Sequence, residues 1–223
     1  MNTLDKLNVE VCEERLANLK EIIDSCGTAT IVAATKYVDT IVMEQLLANG
    51  INNFGENRVD SFLEKYEKLA FKKDIVWHFI GTLQTNKVKK MINKISYLHS
   101  LNSVKLASVI NKYRNSPLNC FLEVNLTESS TKTGINPLNI IESLAVIKEF
   151  ENIKVIGLMT MTETYMNDLE KMEVFTKLNE LKEKLNKQGY NDITHLSMGM
   201  SDDYHLAINC GATFVRLGRI LFS

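Results

Sequence analysis

Thr30-Ile31-Val32-Ala33-Ala34-Thr35-Lys36 reads as a short buried strand that ends on a lysine. Four apolar residues stand between threonines with no polar alternation, the pattern of a parallel strand covered on both faces. Lys36 then falls at the C-terminal end of the strand, the edge where parallel α/β sheets and barrels build their sites. A lysine held there loses its proton more readily when partly desolvated, and a neutral amine can attack a carbonyl to form a Schiff base. The plain alternative is a solvated lysine at a strand end. What decides between them is what the rest of the chain brings to the same rim.

Working outward, the same kind of segment recurs. After Thr30–Lys36 come Ile51–Phe54, Ile75–Ile80, a weaker Ser96–Ser100, Cys120–Leu126, Lys154–Met159, Ile193–Ser197 and Thr213–Leu217. Helical spacing fills the gaps, over Ile41–Asn49, Val59–Leu69, Val88–Ile92, Val104–Tyr113, a helix opening on Pro137, the run Leu169–Leu185, and Ser201–Asn209. Gly27, Gly50, Gly189 and Gly211 sit where helices should stop. Regular βα alternation implies parallel strands and right-handed crossovers. Eight such units predict an α/β fold, a (β/α)8 TIM barrel, with an additional N-terminal helix built on Leu4, Leu7, Val11, Cys12, Leu16, Leu19, Ile22 and Ile23. No helix is expected after the last strand, so the N-terminal one would cover the gap beside it. There is no G-x-G-x-x-G after the first strand, which argues against a dinucleotide-binding sheet.

Composition narrows the class. The chain has 223 residues, 45% apolar and 24% charged, with a formal net charge of -1. These are values of a folded globular chain, expected here to be one domain over 1–223. No basic stripe suggests a nucleic-acid surface; Lys87, Lys89 and Lys90 read as the wet face of a helix. No apolar run is long enough for a membrane span, and residues 1–14 are too polar for a signal peptide. Cys12, Cys26, Cys120 and Cys210 form no C-x-x-C pair and read as buried thiols of a reducing cytoplasm. His78, His99, His195 and His205 lack the spacing of a metal site.

In a barrel the strand ends share one face, which places Lys36, Asn57, His78, Ser197 and Arg216 near the mouth. Ser197-Met198-Gly199-Met200-Ser201 and Val215-Arg216-Leu217-Gly218-Arg219 are the turns after strands seven and eight, where barrels often bind phosphate. Gly199 and Gly218 would let the backbone approach a ligand. Ser201 offers a hydroxyl, or is a plain helix N-cap with Asp202 and Asp203 in the first turn. Two aspartates beside a phosphate would repel it unless they point away. Arg216 in an apolar strand needs a partner, a structural ion pair being the simplest. His78 is a ligand contact or a satisfied core histidine, and Asn57 a contact or a cap.

Ala34-Thr35-Lys36, Asn53-Phe54-Gly55-Glu56-Asn57, Trp77-His78-Phe79-Ile80-Gly81 with Leu83-Gln84 and Asn86-Lys87, Leu196 to Asp202, and Arg216-Leu217-Gly218-Arg219 together resemble the pyridoxal phosphate homeostasis proteins. These are single-domain relatives of the N-terminal barrel of alanine racemase, and the resemblance runs along essentially the whole chain. It departs at Thr82, where the family usually has proline, and at Phe222-Ser223, where Phe-Gly is usual. The resemblance implies that Lys36 carries pyridoxal 5'-phosphate as an internal aldimine. It implies that Ser201, Gly218 and their neighbours hold the phosphate and that Arg216 faces the pyridine nitrogen. The implied cofactor contacts are Lys36, Asn57, His78, Ser197, Met200, Ser201, Arg216, Gly218 and Arg219, with no metal and no dedicated catalytic residue.

An arginine cannot protonate the ring nitrogen, so the electron sink is shallow and carbanion chemistry is restrained. The chain also stops soon after its last strand, without the β domain that supplies alanine racemase with an acid–base tyrosine. The expectation is a cytoplasmic monomer that stores, protects or delivers the cofactor, with apoenzymes as recipients. The rivals are an amino-acid racemase or related enzyme of the same lineage, for which no convincing second acid–base group stands out and His78 and a tyrosine such as Tyr37 are the ones to weigh, and a cofactor-free Schiff-base aldolase or other phosphate-binding barrel.

Overall fold

The structure is a computed structural model and describes residues 13–127 and 133–222. Eight parallel strands close a barrel in sequence order: β1 Thr30–Ala34, β2 Asn53–Glu56, β3 Val76–Phe79, β4 Tyr97–Leu101, β5 Leu118–Glu123, β6 Ile153–Met159, β7 His195–Ser197 and β8 Phe214–Leu217. Closure runs through the β1–β8 pairing, with Thr30 beside Phe214, Val32 beside Arg216 and Ala33 beside Leu217. Helices α1 Glu13–Ser25, α2 Thr40–Ala48, α3 Val59–Lys68, α4 Val88–Met91, α5 Val104–Tyr113, α6 Ile140–Ile147, α7 Asp168–Lys187 and α8 Tyr204–Asn209 form the outer layer.

The expected fold is therefore the observed one, with instructive shifts at the edges. Ile51 and Ile193, read as strand, lie before β2 and β7. Both are buried, but the Ile51 N–H closes the end of α2 onto Leu46 O, and the Ile193 N–H closes a loop turn onto Tyr190 O. Their apolarity serves the floor of the barrel rather than a ladder. β1 stops at Ala34, two residues short of Lys36. One expectation fails outright: a single helical turn, α9 Arg219–Phe222, follows the last strand, closed by Leu221 N–H donating to Gly218 O at 2.9 Å. The N-terminal helix begins at Glu13, and the expected positions Leu4 to Cys12 lie outside the described residues. Its end sits beside α8, where Ser25 Oγ and Tyr204 OH are 3.1 Å apart. Cys26 and Cys120 are buried as expected, Cys210 only partly, and Cys12 lies outside the described residues.

Two apolar layers result. Outward-facing strand residues such as Phe54, Trp77, Leu98 and Val215 pack under the helices with Phe62, Met91, Ile110 and Phe175. A smaller inner cluster of Val32, Phe121, Ile156, Met159 and Phe214 fills the lumen. Arg216 is in register with lumenal Val32, so the same pleat that packs the lumen aims its guanidinium inward.

Candidate functional site

Lys36 sits on a turn. Val38 N–H donates to Thr35 O at 3.1 Å, which makes Lys36 and Tyr37 the central residues of Thr35–Val38. Thr35 is fully buried and held on every side. Its N–H donates to Gly55 O at 3.0 Å, its hydroxyl to Glu56 Oε1 at 2.6 Å, and its carbonyl accepts from Lys65 Nζ at 2.5 Å. The Lys36 side chain itself is exposed, with its ammonium 4.7 Å from the centre of the Tyr37 ring. The partial desolvation expected of this amine is thus not present in the protein alone.

The closing turns meet the same rim. Gly218 follows β8 in register with Ala34, and a side-chain carbon at Gly218 would lie 3.6 Å from Ala34 Cβ. Ser201 Oγ accepts from Gly218 N–H at 3.1 Å and Ile220 N–H at 3.5 Å, so it caps α9 from a neighbouring loop. That corrects the N-cap reading of Ser201, because α8 starts at Tyr204 with Asp203 at its cap position.

The two glycines differ in what requires them. Gly199 has φ +91°, and a Cβ there would come within 2.7 Å of Ala207 Cβ and 2.9 Å of Tyr204 Cα, so the protein's own packing demands it. Gly218 would meet only ordinary contacts, with Ala34 Cβ at 3.6 Å and Ala34 O at 3.7 Å, so the protein's own packing does not demand glycine there.

The aspartates do not confront the rim as feared. Asp203 is buried and turned into the protein, its carboxylate accepting from Met200 N–H and Thr162 Oγ1, both at 2.6 Å. Asp202 is exposed and ion-paired with Arg219. Met200 is fixed through its backbone, since its carbonyl also takes Tyr204 N–H at 2.8 Å.

Beneath the rim a hydrogen-bonded chain crosses the lumen. His78 Nε2 is 2.9 Å from Asn53 Oδ1, and His78 Nδ1 is 2.9 Å from His99 Nε2. His99 Nδ1 is 2.7 Å from Ser197 Oγ. Arg216 Nη1 donates to Ser197 Oγ at 2.6 Å and Ser197 O at 2.8 Å, and Nη2 donates to Thr160 O at 3.0 Å.

Chemistry assigns the direction of every bond. The Asn53 amide nitrogen donates to Asn52 Oδ1 at 2.8 Å, so its oxygen faces His78 and Nε2 must carry the proton. Burial pushes His78 down to about 3, so the ring is neutral and Nδ1 accepts. His99 Nε2 is then the donor. Burial first, and the His78 and Arg216 charges second, hold His99 well below the ordinary histidine range, so its Nδ1 is bare and takes the Ser197 hydroxyl proton. Ser197 Oγ keeps lone pairs for Arg216. Each step agrees with the next from either end.

Arg216 is lowered to about 10 by burial, opposed by the Asp203 and Glu123 charges, and stays cationic at neutral pH. The expected ion pair is not what holds it; the hydrogen bonds go to neutral oxygens. Three of its five N–H groups are used among the described residues, which leaves Nε–H and one Nη2–H for a further acceptor.

The expected residues thus divide. Lys36, Ser201 and Gly218 share the rim, with Met200 and Arg219 beside them. His78 and Ser197 do not reach the mouth as free groups: both are fully buried with their polar atoms committed to the lumenal chain. Asn57 follows β2, and its Oδ1 is buried with no hydrogen-bond partner among the described residues. It does not cap α3, where Arg58 holds the cap position. Its carbonyl lies 2.2 Å from where a Cβ on Gly81 would stand, so only glycine fits that crossing. Sequence reading missed His99, Asn53 and Thr160 as partners, and Glu56 and Lys65 behind Lys36. The available signal was that Tyr97 and His99 stand two apart, on one face of their strand.

The family model described as the alanine racemase N-terminal domain matches residues 11–223. A pyridoxal phosphate homeostasis protein of Aquifex aeolicus is 38% identical over 224 residues, covering 96% of this chain and 98% of its own. The chain belongs to the pyridoxal phosphate homeostasis protein family. A second member, from Synechocystis, is 36% identical and covers 86% of this chain and 89% of its own. Among solved structures, PipY of Synechococcus elongatus with pyridoxal phosphate bound is 28% identical with a TM-score of 0.86, over 94% of this chain and 99% of that one. Alanine racemase of Clostridium difficile shares the family's barrel at 16% identity and a TM-score of 0.73, the match spanning 56% of its length.

Proposed function

We propose that this chain binds pyridoxal 5'-phosphate at the barrel mouth, attached to Lys36, and serves to store, protect or hand over the cofactor. The observation that carries the reading is the shared rim: the Lys36 turn, Gly218 packed on Ala34, and Ser201 tied to Gly218. Three features fit such a group. Gly218 is only partly buried and its position is not dictated by packing, Arg216 keeps two N–H donors, and among the described residues the Asn57 Oδ1 acceptor is unclaimed. When bound, the cofactor supplies an aldehyde that condenses with the Lys36 amine to a Schiff base, which keeps it from stray amines and thiols.

Arg216 would offer N–H groups to a ring nitrogen held there but no proton, since the guanidinium remains charged. The sink stays shallow, which favours holding over turnover. A racemase would need a second acid–base group opposite Lys36. His78 is sealed in the lumen with both ring nitrogens occupied, and Tyr37 lies on the same turn as Lys36. The proposal extends to a cytoplasmic monomer that delivers to apoenzymes using the same cofactor. It leans on the homeostasis relatives and on the fact that no helix among the described residues is long and apolar enough to cross a membrane.

An absorption spectrum of the protein loaded with pyridoxal 5'-phosphate, repeated after borohydride reduction and peptide mapping, tests this. Reduction should fix the cofactor to Lys36, and Lys36→Ala should be colourless. An equally yellow Lys36→Ala protein would remove the assignment. Rapid racemisation of L-alanine or L-serine would favour the enzyme.

A further inference from the structure

Directly behind Lys36 is a buried ion pair that the proposed function does not use. Glu56, the last residue of β2, is fully buried, and Lys65 of α3 approaches it with Nζ 2.6 Å from Oε1. The carboxylate also accepts from Thr35 Oγ1 at 2.6 Å and Ser61 Oγ at 3.2 Å. The ammonium spends a second N–H on Thr35 O at 2.5 Å. That carbonyl belongs to the peptide bond joining Thr35 to Lys36, and it is the same oxygen that closes the Thr35–Val38 turn. One carboxylate and one ammonium therefore grip the hydroxyl and the carbonyl of a single residue, immediately before the exposed amine.

Packing alone does not explain this. Burying two charges carries a desolvation penalty that a well-packed apolar pair would avoid, so such pairs are better understood as fixing a specific geometry. What is fixed here is the launch direction of the Lys36 side chain. The arrangement also separates two lysines by role, with Lys65 held as a shielded cation against its carboxylate and Lys36 left free.

We propose that Glu56, Lys65 and Thr35 form a positioning clamp that presents Lys36 to an incoming aldehyde. The inference rests on the reading that Lys36 is the attachment point. In the covalent step the Lys36 nitrogen adds to the aldehyde carbon, a carbon–nitrogen double bond forms and one water leaves. The clamp residues touch neither partner and act through the Thr35–Lys36 peptide, since small misplacements of reacting atoms slow such steps steeply.

The test compares Thr35→Val, which keeps the shape and loses the hydroxyl, Lys65→Met, and Thr35→Ser, which restores the hydroxyl. Two probes are used on the full chain: pyridoxal 5'-phosphate, with capture at Lys36 followed by visible absorbance and borohydride trapping, and pyridoxamine 5'-phosphate, which has no aldehyde. Thr35→Val and Lys65→Met should slow capture about tenfold or more while pyridoxamine 5'-phosphate affinity stays within about twofold, and Thr35→Ser should capture like the parent. Unchanged capture in folded Thr35→Val would overturn the clamp, as would equal losses with both probes, which would mean general loosening. If Lys65→Met does not fold, Thr35→Val alone decides, because it leaves the ion pair in place. Parent protein trapped at a lysine other than Lys36 would sink the functional reading, and this inference with it.

Discussion

The lumen and the rim of this barrel are built on opposite rules. In the lumen, Asn53, His78, His99, Ser197 and Arg216 are linked end to end and polarised in one direction, all of them buried but the half-buried Asn53. At the rim, Lys36, Asp202 and Arg219 are exposed, and Gly218 is only partly buried. Order is kept where nothing needs to react, and freedom is kept where something must enter. The amine gains its direction from below, through Thr35, rather than from burial of its own charge.

Acid should separate the two regions most sharply. His78 titrates near 3 in the folded chain against about 6.5 when unfolded, so below pH 6.5 the unfolded chain takes up protons that the native one refuses. Stability contributed by this neutral ring is complete above pH 6.5. It is lost as pH falls towards 3, at about 1.4 kcal/mol per pH unit for His78, with His99 adding in the same direction. Urea midpoints between pH 7 and 4 should fall steeply. A flat profile would mean that the lumenal histidines are not held neutral. Next in size is Arg216→Met, which strands Thr160 O in the lumen and takes a donor from Ser197 Oγ and from Ser197 O, the latter keeping Thr160 N–H at 3.3 Å. It should lose about 3–5 kcal/mol at pH 7 by urea unfolding, with visible absorbance of the loaded protein altered as well. His99→Phe should cost about 2–4 kcal/mol at pH 7, because the His78 Nδ1 acceptor and the Ser197 hydroxyl each lose a partner. The same variant keeps a ring against Phe121, whose centre lies 4.4 Å from that of His99. It should also flatten the acid profile, which a mere packing defect would not do.

The difference between the two regions also explains what could be read from sequence. The barrel was legible because most of the parallel strands are apolar runs and four of the helices are followed by a glycine, at Gly27, Gly50, Gly189 and Gly211. The rim was legible because Lys36, Ser201 and Gly218 lie at strand ends, and strand ends share a face once the strand count is known. The lumenal chain was not. Its links join residues 21, 25 and 98 apart in sequence, and His99 lies on the strand whose apolar run is weakest. Only closure of the ring tells which polar residues point inward together. Nor does Lys65 stand out, since it sits in a charged helix, Glu64-Lys65-Tyr66-Glu67-Lys68, where nothing in the pattern marks one lysine as buried. The missed final turn α9 had no periodicity to show, being four residues long.

The smallest effect belongs at the rim, and it tests the contrast from its weak side. Asp202 and Arg219 are ion-paired, yet their side chains remain 67% and 74% exposed. Water already solvates both charges, so the pair adds little, and Asp202→Asn should shift stability by less than about 1 kcal/mol. Its consequence should instead be electrostatic: the substitution removes a negative charge beside Ser201 and leaves the Arg219 guanidinium without its pair. Affinity for inorganic phosphate should rise by a few-fold at low salt, and the gain should shrink as ionic strength increases. Isothermal titration at two salt concentrations measures this. A loss of affinity would mean that the pair orders the closing turns as tightly as the lumen orders its own residues, and the division between an ordered interior and an open rim would fail.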